Sequence, residues 1–124
     1  MSRAIADTSV FIAREAGRPL GDLPDLIAVS VITVAELELG VLQASSRATR
    51  LATLSRVRAA YPLLPIDEAT ASCFARIADE QLRAGRRPRR HDTWIAATAL
   101  RHGVAVLTQD ADFGSFTSVQ VVRV

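Results

Sequence analysis

The sequence predicts a three-layer α/β/α fold, in which helices cover both faces of a mainly parallel sheet of four to five strands. Short apolar runs alternate along the chain with stretches whose apolar residues recur at helical spacing, the pattern of successive βα units. Residues 104–107 are apolar without interruption, as expected for a strand that is covered on both faces. The length of 124 residues and the apolar content of 49% suit a single domain over residues 1–124 with its own core.

The first half of the chain contains two predicted strands, each followed by a helix. The first strand ends at Asp7, and glycines and prolines indicate a loop before the second strand. The helix after the second strand begins near Thr33, because Thr33 and Glu36 are spaced as in a capping box. In order, the elements are a strand at 4–6, a helix at 8–14, a loop at 15–26, a strand at 27–31 and a helix from residue 33 to residue 42.

The second half repeats the alternation and adds a basic loop. Asp67 is placed to cap one helix, and Gly103 is placed to end another. In order, the elements are a helix at 48–60, a strand at 63–66, a helix from 68 to 84, the basic loop at 85–91, a helix at 93–102, and strands at 104–107 and 119–122.

The composition excludes several classes of protein. The one cysteine, Cys73, rules out an internal disulfide and suits a reducing, cytoplasmic compartment. We expect no signal peptide, because Asp7 interrupts the apolar start, and no membrane helix, because no apolar run reaches roughly 18 residues. All 15 Lys and Arg residues are arginines. Response-regulator receivers, haloacid-dehalogenase-like phosphatases and P-loop proteins all need a lysine at the site, so they are excluded.

Four acidic residues fall where one edge of the predicted sheet should be. Asp7 ends the first strand, Asp110 follows the strand at 104–107, and Glu36 and Asp92 lie near the starts of helices. Because ligands bind at the carboxyl ends of parallel strands, we expect these side chains to meet there. Clustered carboxylates raise each other's pKa, and a divalent cation such as Mg²⁺ or Mn²⁺ relieves that repulsion.

Three of these acids also have local structural interpretations, which the sequence leaves open. Glu36 would complete its capping box, Asp92 would serve as a helix N-cap, and Asp110 would cap a turn over residues 109–112. Asp7 closes an apolar strand and has no such local role. One shared metal site accounts for all four positions together.

Three segments carry recognisable motifs. They are Asp7-Thr8-Ser9-Val10, the acidic helix over residues 34–40, and residues 91–100 followed by 103–113. These segments resemble the opening motif, the central acidic helix and the C-terminal signature of PIN-domain nucleases. The length resembles that of the VapC toxins of bacterial toxin–antitoxin pairs, and the resemblance covers nearly the whole chain.

The resemblance implies a PIN-like fold and an endoribonuclease dependent on Mg²⁺ or Mn²⁺, whose products carry a 5′-phosphate and a 3′-hydroxyl. It implies that Asp7, Glu36, Asp92 and Asp110 bind the metal and carry catalysis, and it leaves open whether Asp112 is a fifth ligand. Supporting polar roles fall to Thr8, Ser9 and Thr108.

The resemblance also implies a homodimer bound to a cognate VapB-like antitoxin. Apolar positions within residues 34–57 are either the docking surface for that antitoxin or part of the core. For the RNA substrate, the basic loop suggests backbone contacts from Arg86, Arg87, Arg89 and Arg90. The alternative is a catalytically silent PIN-like module that binds RNA or protein, against which the complete set of acids argues.

Overall fold

A computed structural model describes residues 2–124, in which strands and helices alternate as the sequence predicts. The elements are β1 (Arg3–Ala6), α1 (Thr8–Glu15), β2 (Leu26–Ser30), α2 (Val31–Gln43), α3 (Ala48–Ala60), β3 (Leu63–Leu64), α4 (Glu68–Arg83), α5 (Arg90–His102), β4 (Ala105–Thr108), a short 3₁₀ helix (Ala111–Ser115) and β5 (Val121–Arg123). Within the described range, no helix is both long enough and apolar enough to cross a membrane.

The strands form one parallel sheet in the order β3-β2-β1-β4-β5. The central strand β1 pairs with β2 and β4, where Ile5 lies opposite Ala28 on one side and Val106 on the other. Because every strand runs in the same direction, the carboxyl ends of all five lie at one edge. The predicted parallel sheet is confirmed, at five strands.

Hydrophobic clusters on the two faces of the sheet make the fold three layers deep. Helices α4 and α5 cover one face, where Ile77, Ile95 and Phe113 pack with strand residues. Helices α1, α2 and α3 cover the other face through Phe11, Leu37 and Leu54 respectively. The central strands are thus buried from both sides, and this packing positions the residues at their carboxyl ends.

The start of α2 differs from the prediction. Strand β2 ends at Ser30, whose side chain accepts a hydrogen bond from the backbone nitrogen of Ile32 and caps the helix. Thr33 is therefore inside the first turn and fully buried. The predicted capping box of Thr33 and Glu36 is wrong, because Ser30 caps the helix instead. The side chain of Glu36 is therefore not used in capping.

Helix α5 begins at Arg90, three residues before the predicted start. Arg89 occupies the N-cap position, and its carbonyl accepts hydrogen bonds from both the backbone nitrogen and the hydroxyl of Thr93. Asp92 thus lies within the first turn, and its predicted N-cap role is wrong. The predicted caps at Asp67 and Gly103 are confirmed, the latter with φ of +65°.

Candidate active site

The four predicted acids come together at the carboxyl edge of the sheet. Asp7 follows β1, and Asp110 follows β4, the strand that pairs with β1. Glu36 reaches the same edge from α2, and Asp92 from the first turn of α5. Asp92 is close enough to the other three for each of their charges to raise its pKa.

Asp7 is buried, with 5% of its surface exposed, and it occupies the N-cap position of α1. The expectation that Asp7 has no local structural role is therefore wrong, because its carboxylate also caps this helix. Its Oδ2 accepts hydrogen bonds from Ser9 Oγ at 2.8 Å, from Thr108 Oγ1 at 3.0 Å and from the Ser9 backbone nitrogen at 3.4 Å. Burial raises the pKa of Asp7 above its ordinary value, and the hydrogen bonds from Ser9 and Thr108 oppose that rise. These three donors converge on Oδ2 and restrain the carboxylate.

Ser9 and Thr108 connect Asp7 to the loop that follows β4. The Ser9 hydroxyl accepts a hydrogen bond from the backbone nitrogen of Gln109 at 2.9 Å. The Thr108 hydroxyl accepts one from the backbone nitrogen of Asp110, also at 2.9 Å. These two side chains therefore hold the chain around Asp110 in register with Asp7.

Glu36 is held by one group on each of its oxygens. Thr8 Oγ1 donates to Glu36 Oε1 at 2.7 Å and lies 3.1 Å from Thr33 Oγ1. His91 Nδ1 lies 3.4 Å from Glu36 Oε2. The neighbouring acid Glu38 points away and pairs with Arg58 at 3.2 Å, as its two-residue offset predicts.

The side chain of Asp92 is 15% exposed, and its pKa is raised to about 6. Burial is the main cause of the rise and the charges of Asp7, Asp110 and Glu36 add to it, whereas the ion pair with Arg89 opposes it. The carboxyl thus behaves as one member of a crowded acidic cluster, which is the electrostatic situation that the sequence predicts.

Arg89 bridges the outer acids of the site. Its Nε lies 3.1 Å from Asp92 Oδ2, and its Nη1 lies 3.3 Å from Asp110 Oδ2 and 2.9 Å from Asp112 Oδ2. Asp110 also caps the 3₁₀ helix, because its Oδ1 accepts from the backbone nitrogen of Asp112 at 2.8 Å. The predicted turn-capping role of Asp110 is confirmed, and it coexists with a place in the site.

The other arginines of the basic loop border the same region. Arg90 lines a shallow pocket with Glu36, His91 and Asp92. Arg86 and Arg87 line an adjacent pocket that reaches Asp112, and Arg86 Nη1 donates to the carbonyl of Ser115 at 2.8 Å. Arg89 lines both pockets and so lies at the boundary between the acidic cluster and the arginines.

Sequence reasoning missed two contacts of this site, those of Arg89 with the acids and of His91 with Glu36. The first had a readable signal, since Arg89 and Asp92 stand three residues apart, the spacing of an ion pair on one helical face. The later helix start predicted at residue 93 hid that spacing. The second depends on how α2 and α5 pack, and no local pattern reports it.

The donor chemistry of the site suits a hard divalent cation, since carboxylate oxygens are what Mg²⁺ and Mn²⁺ prefer. The carboxylates are not yet arranged as metal ligands, because no three or more His, Cys, Asp and Glu side chains within residues 2–124 are close enough together to hold a metal ion. The guanidinium of Arg89 instead occupies oxygens of Asp92 and Asp110. The residues therefore fit a divalent cation in chemistry, and binding it requires a local rearrangement.

Comparisons with known proteins give a consistent result. The family model of the PIN domain matches residues 4–118. The chain is 45% identical to "Ribonuclease VapC5" of Mycobacterium tuberculosis over 97% of its own length and 94% of that protein's. It is also 45% identical to "Ribonuclease VapC4" of the same organism, over 98% and 97% of the two chains.

The fold is shared with solved structures as well. A crystal structure of VapBC-5 from Mycobacterium tuberculosis, a member of the VapBC family of toxin–antitoxin systems, superposes with a TM-score of 0.85. The match covers 100% of both chains at 42% identity.

Proposed function

The chain belongs to the PIN-domain family, and from this we infer that it is a metal-dependent endoribonuclease, the toxin of a VapBC-type toxin–antitoxin pair. The relatives named as ribonucleases are 45% identical over almost the whole chain, which supports RNA as the substrate. The observation that carries the proposal is the convergence of Asp7, Glu36, Asp92 and Asp110 at one edge of the sheet.

In this proposal the four carboxylates hold Mg²⁺ or Mn²⁺, with Asp112 as a further ligand on the outer side. The bound cation supplies Lewis-acid chemistry, which activates water for hydrolysis of a phosphodiester and offsets charge on the phosphate. Asp7 is the fixed point of the ligand set, because Ser9 and Thr108 restrain its carboxylate from within the fold. Thr8 restrains the carboxylate of Glu36 in the same way, through its hydrogen bond to Oε1.

The arginines beside the acids keep the RNA backbone near the cation. Arg86, Arg87 and Arg90 line pockets that adjoin Asp92 and Asp112, so a strand whose scissile phosphate meets the acids passes within their reach. Contacts of this kind position the backbone and carry no base specificity. They also make RNA binding weaken as salt rises.

In this proposal residues 1–124 form a single domain, and the chain acts as a homodimer. Its partner is a cognate VapB-like antitoxin. Among the apolar positions of the predicted docking region, Leu39 and Leu42 on α2 and Leu51 on α3 are exposed, whereas Leu54 and Val57 belong to the core. Three exposed leucines on two packed helices give an apolar surface suited to an amphipathic segment of an antitoxin.

The test is RNA cleavage by the purified chain after removal of any bound partner. Total cellular RNA is incubated with the protein in Mg²⁺, in Mn²⁺ or in chelator, beside an Asp7→Asn/Asp92→Asn double variant. We expect discrete fragments with 5′-phosphates that require the cation and are absent with the double variant. An Asp22→Asn variant, which removes an exposed acid of the loop after α1, should cleave like the parent.

Failure to cleave any RNA by a folded, partner-free protein in either cation would overturn the proposal. The alternative function, a PIN-like module that binds RNA or protein without cutting, would then be favoured.

A further inference from the structure

Arg89 has an unusual position for a member of a basic loop, since its guanidinium is in contact with three carboxylates. Those carboxylates belong to Asp92, Asp110 and Asp112, at distances from 2.9 to 3.3 Å. Each of these acids raises the pKa of Arg89, Asp92 most strongly, so the group keeps its charge. The fold thus carries its own cation at the place where the proposed function puts a metal.

The arginine and a metal ion compete for the same oxygen. Asp110 Oδ1 is committed to the backbone nitrogen of Asp112, which leaves Oδ2 as the oxygen of Asp110 for a cation. That oxygen accepts from Arg89 Nη1 at 3.3 Å. A metal bound by Asp110 through this oxygen lies beside the guanidinium, and repulsion between the two cations favours the departure of Arg89.

The arginine is also free to leave. Its side chain is 54% exposed, and it lies at the boundary with the pocket that Arg86 and Arg87 line. A guanidinium that swings outwards gives up weak ion pairs with the more exposed Asp110 and Asp112, and one with the more buried Asp92, for contacts with solvent or a phosphate. A divalent cation that binds several carboxylates at once outweighs that loss.

We propose that Arg89 is an exchangeable counterion, which balances the acidic cluster in the metal-free protein and gives up its place when a divalent cation binds. This inference rests on the proposed function, since it takes the cluster to be a metal site. The inference gives Arg89 a role apart from that of the other arginines, since Arg89 lowers the apparent affinity for the cation and stabilises the cluster in the metal-free protein.

The experiment measures Mn²⁺ binding directly, by isothermal titration calorimetry of partner-free protein stripped with chelator. The variants are Arg89→Gln and, as matched control, Arg90→Gln, which removes the same charge from the next residue of the same pocket. We expect Arg89→Gln to bind Mn²⁺ about five- to tenfold more tightly than the parent, from the loss of the competing ion pairs. Arg90→Gln should stay within about twofold of the parent, because general electrostatics between exposed charges is weak.

A second measurement follows the melting temperature. In chelator Arg89→Gln should melt below the parent, because its acids have lost their counterion, and saturating Mn²⁺ should close that gap. An Arg89→Lys variant keeps the charge, but its compact ammonium cannot span three carboxylates. Its Mn²⁺ affinity should lie between those of the parent and Arg89→Gln, so the test stands even if the glutamine variant folds poorly.

Equal Mn²⁺ affinity in the parent, Arg89→Gln and Arg89→Lys would overturn the inference and leave the proposed function intact. An equal gain in Arg89→Gln and Arg90→Gln would also overturn it, since the effect would then be one of net charge. If none of the proteins bound Mn²⁺, the metal site of the proposed function would fail, and the counterion role with it.

Discussion

The acidic site has two sides that are built differently. The inner side consists of Asp7 with Ser9 and Thr108; the Asp7 residue is 5% exposed, and its carboxylate is held by hydroxyl groups from α1 and β4. The outer side consists of Asp110 and Asp112 with Arg89; the side chains of the two acids are 33% and 74% exposed and are held by an ion-pair bridge. Asp92 belongs to both sides, since it adjoins Asp7 and pairs with Arg89.

The two sides differ because one carboxylate has to be held in place and the others have to rearrange when a cation binds. At the ends of the central strands, buried hydroxyls can restrain a carboxylate at no cost in unsatisfied polar groups, so the inner side is preorganised. On the loop after β4, solvent screens the charges, and a movable arginine balances them. The inner side therefore fixes the place of a cation, and the outer side adapts to its arrival.

The largest expected effect separates the two sides by removing one acid from each. Asp7→Asn should lower RNA cleavage by about a thousandfold, because it removes the fixed ligand of a charge-stabilising metal. Asp112→Asn should lower it by about tenfold or less, since Asp112 is exposed and its partner Arg89 keeps two other acids. Rates are measured under single-turnover conditions on one RNA.

The Asp7→Asn substitution must leave the fold intact for this comparison to hold. Asparagine is as good an N-cap as aspartate, so α1 keeps its cap, and the loss of a buried charge should hold the melting temperature in chelator at or above that of the parent. Equal losses of activity in Asp7→Asn and Asp112→Asn would contradict the distinction between the two sides.

The second prediction concerns the restraint on the inner side. Thr108→Val removes the hydroxyl that donates to Asp7 and accepts from the Asp110 backbone, so Mn²⁺ affinity should fall by about 10- to 100-fold. Thr98→Val is the matched control, because Thr98 is equally buried but its hydroxyl bonds only within α5, to the carbonyl of Trp94. Similar Mn²⁺ affinities in the two variants would show that Asp7 needs no restraint.

The third prediction uses the pKa of Asp92, which burial and neighbouring acids raise to about 6. In the metal-free protein the folded state holds this proton more tightly than the unfolded state. The charged carboxyl therefore costs stability above pH 6, and the cost disappears as the pH falls through 6 towards the ordinary value. Asp92→Asn should be more stable than the parent by about 1–2 kcal/mol near neutral pH and no more stable near pH 4.

Urea unfolding in chelator at the two pH values measures this difference. Saturating Mn²⁺ should abolish the advantage of Asp92→Asn at neutral pH, because the cation then balances the carboxylates of the parent. An advantage that stayed the same at both pH values would mean that Asp92 does not belong to a crowded cluster.

The smallest expected effect lies in the arginines beside the outer side. Arg87→Gln should weaken RNA binding several-fold at low salt and reduce the slope of log affinity against log salt by about 0.7, the value for one phosphate contact on a single strand. Arg83→Gln is the control, because Arg83 pairs with Asp79 on α4 at 2.9 Å. Fluorescence anisotropy in chelator measures binding without cleavage, and an unchanged slope for Arg87→Gln would remove this residue from the RNA path.

The positions of the acids were more predictable from sequence than their contacts. Asp7 and Asp110 end or follow strands, and a parallel sheet brings all such positions to one edge, so their convergence follows from the apolar pattern alone. The three-layer fold followed in the same way, from uninterrupted apolar strands between amphipathic helices.

The contacts of the acids depended on helix ends that the pattern does not fix. Both Ser30 and Thr33 are good caps, and β2 ends at Ser30, which caps the helix that carries Glu36. Likewise, α5 begins at Arg90, and only that start places Arg89 beside Asp92. Small errors at helix ends change side-chain partners completely, although the elements themselves are predicted correctly.

The most direct test of a single metal site with a movable counterion is a crystal structure in Mn²⁺ with an anomalous difference map at the manganese edge. We expect an anomalous peak among Asp7, Glu36, Asp92 and Asp110, with the guanidinium of Arg89 turned away from Asp110. A map without a peak at these carboxylates, with Arg89 still bridging Asp92 and Asp110, would contradict the metal site and the exchange together.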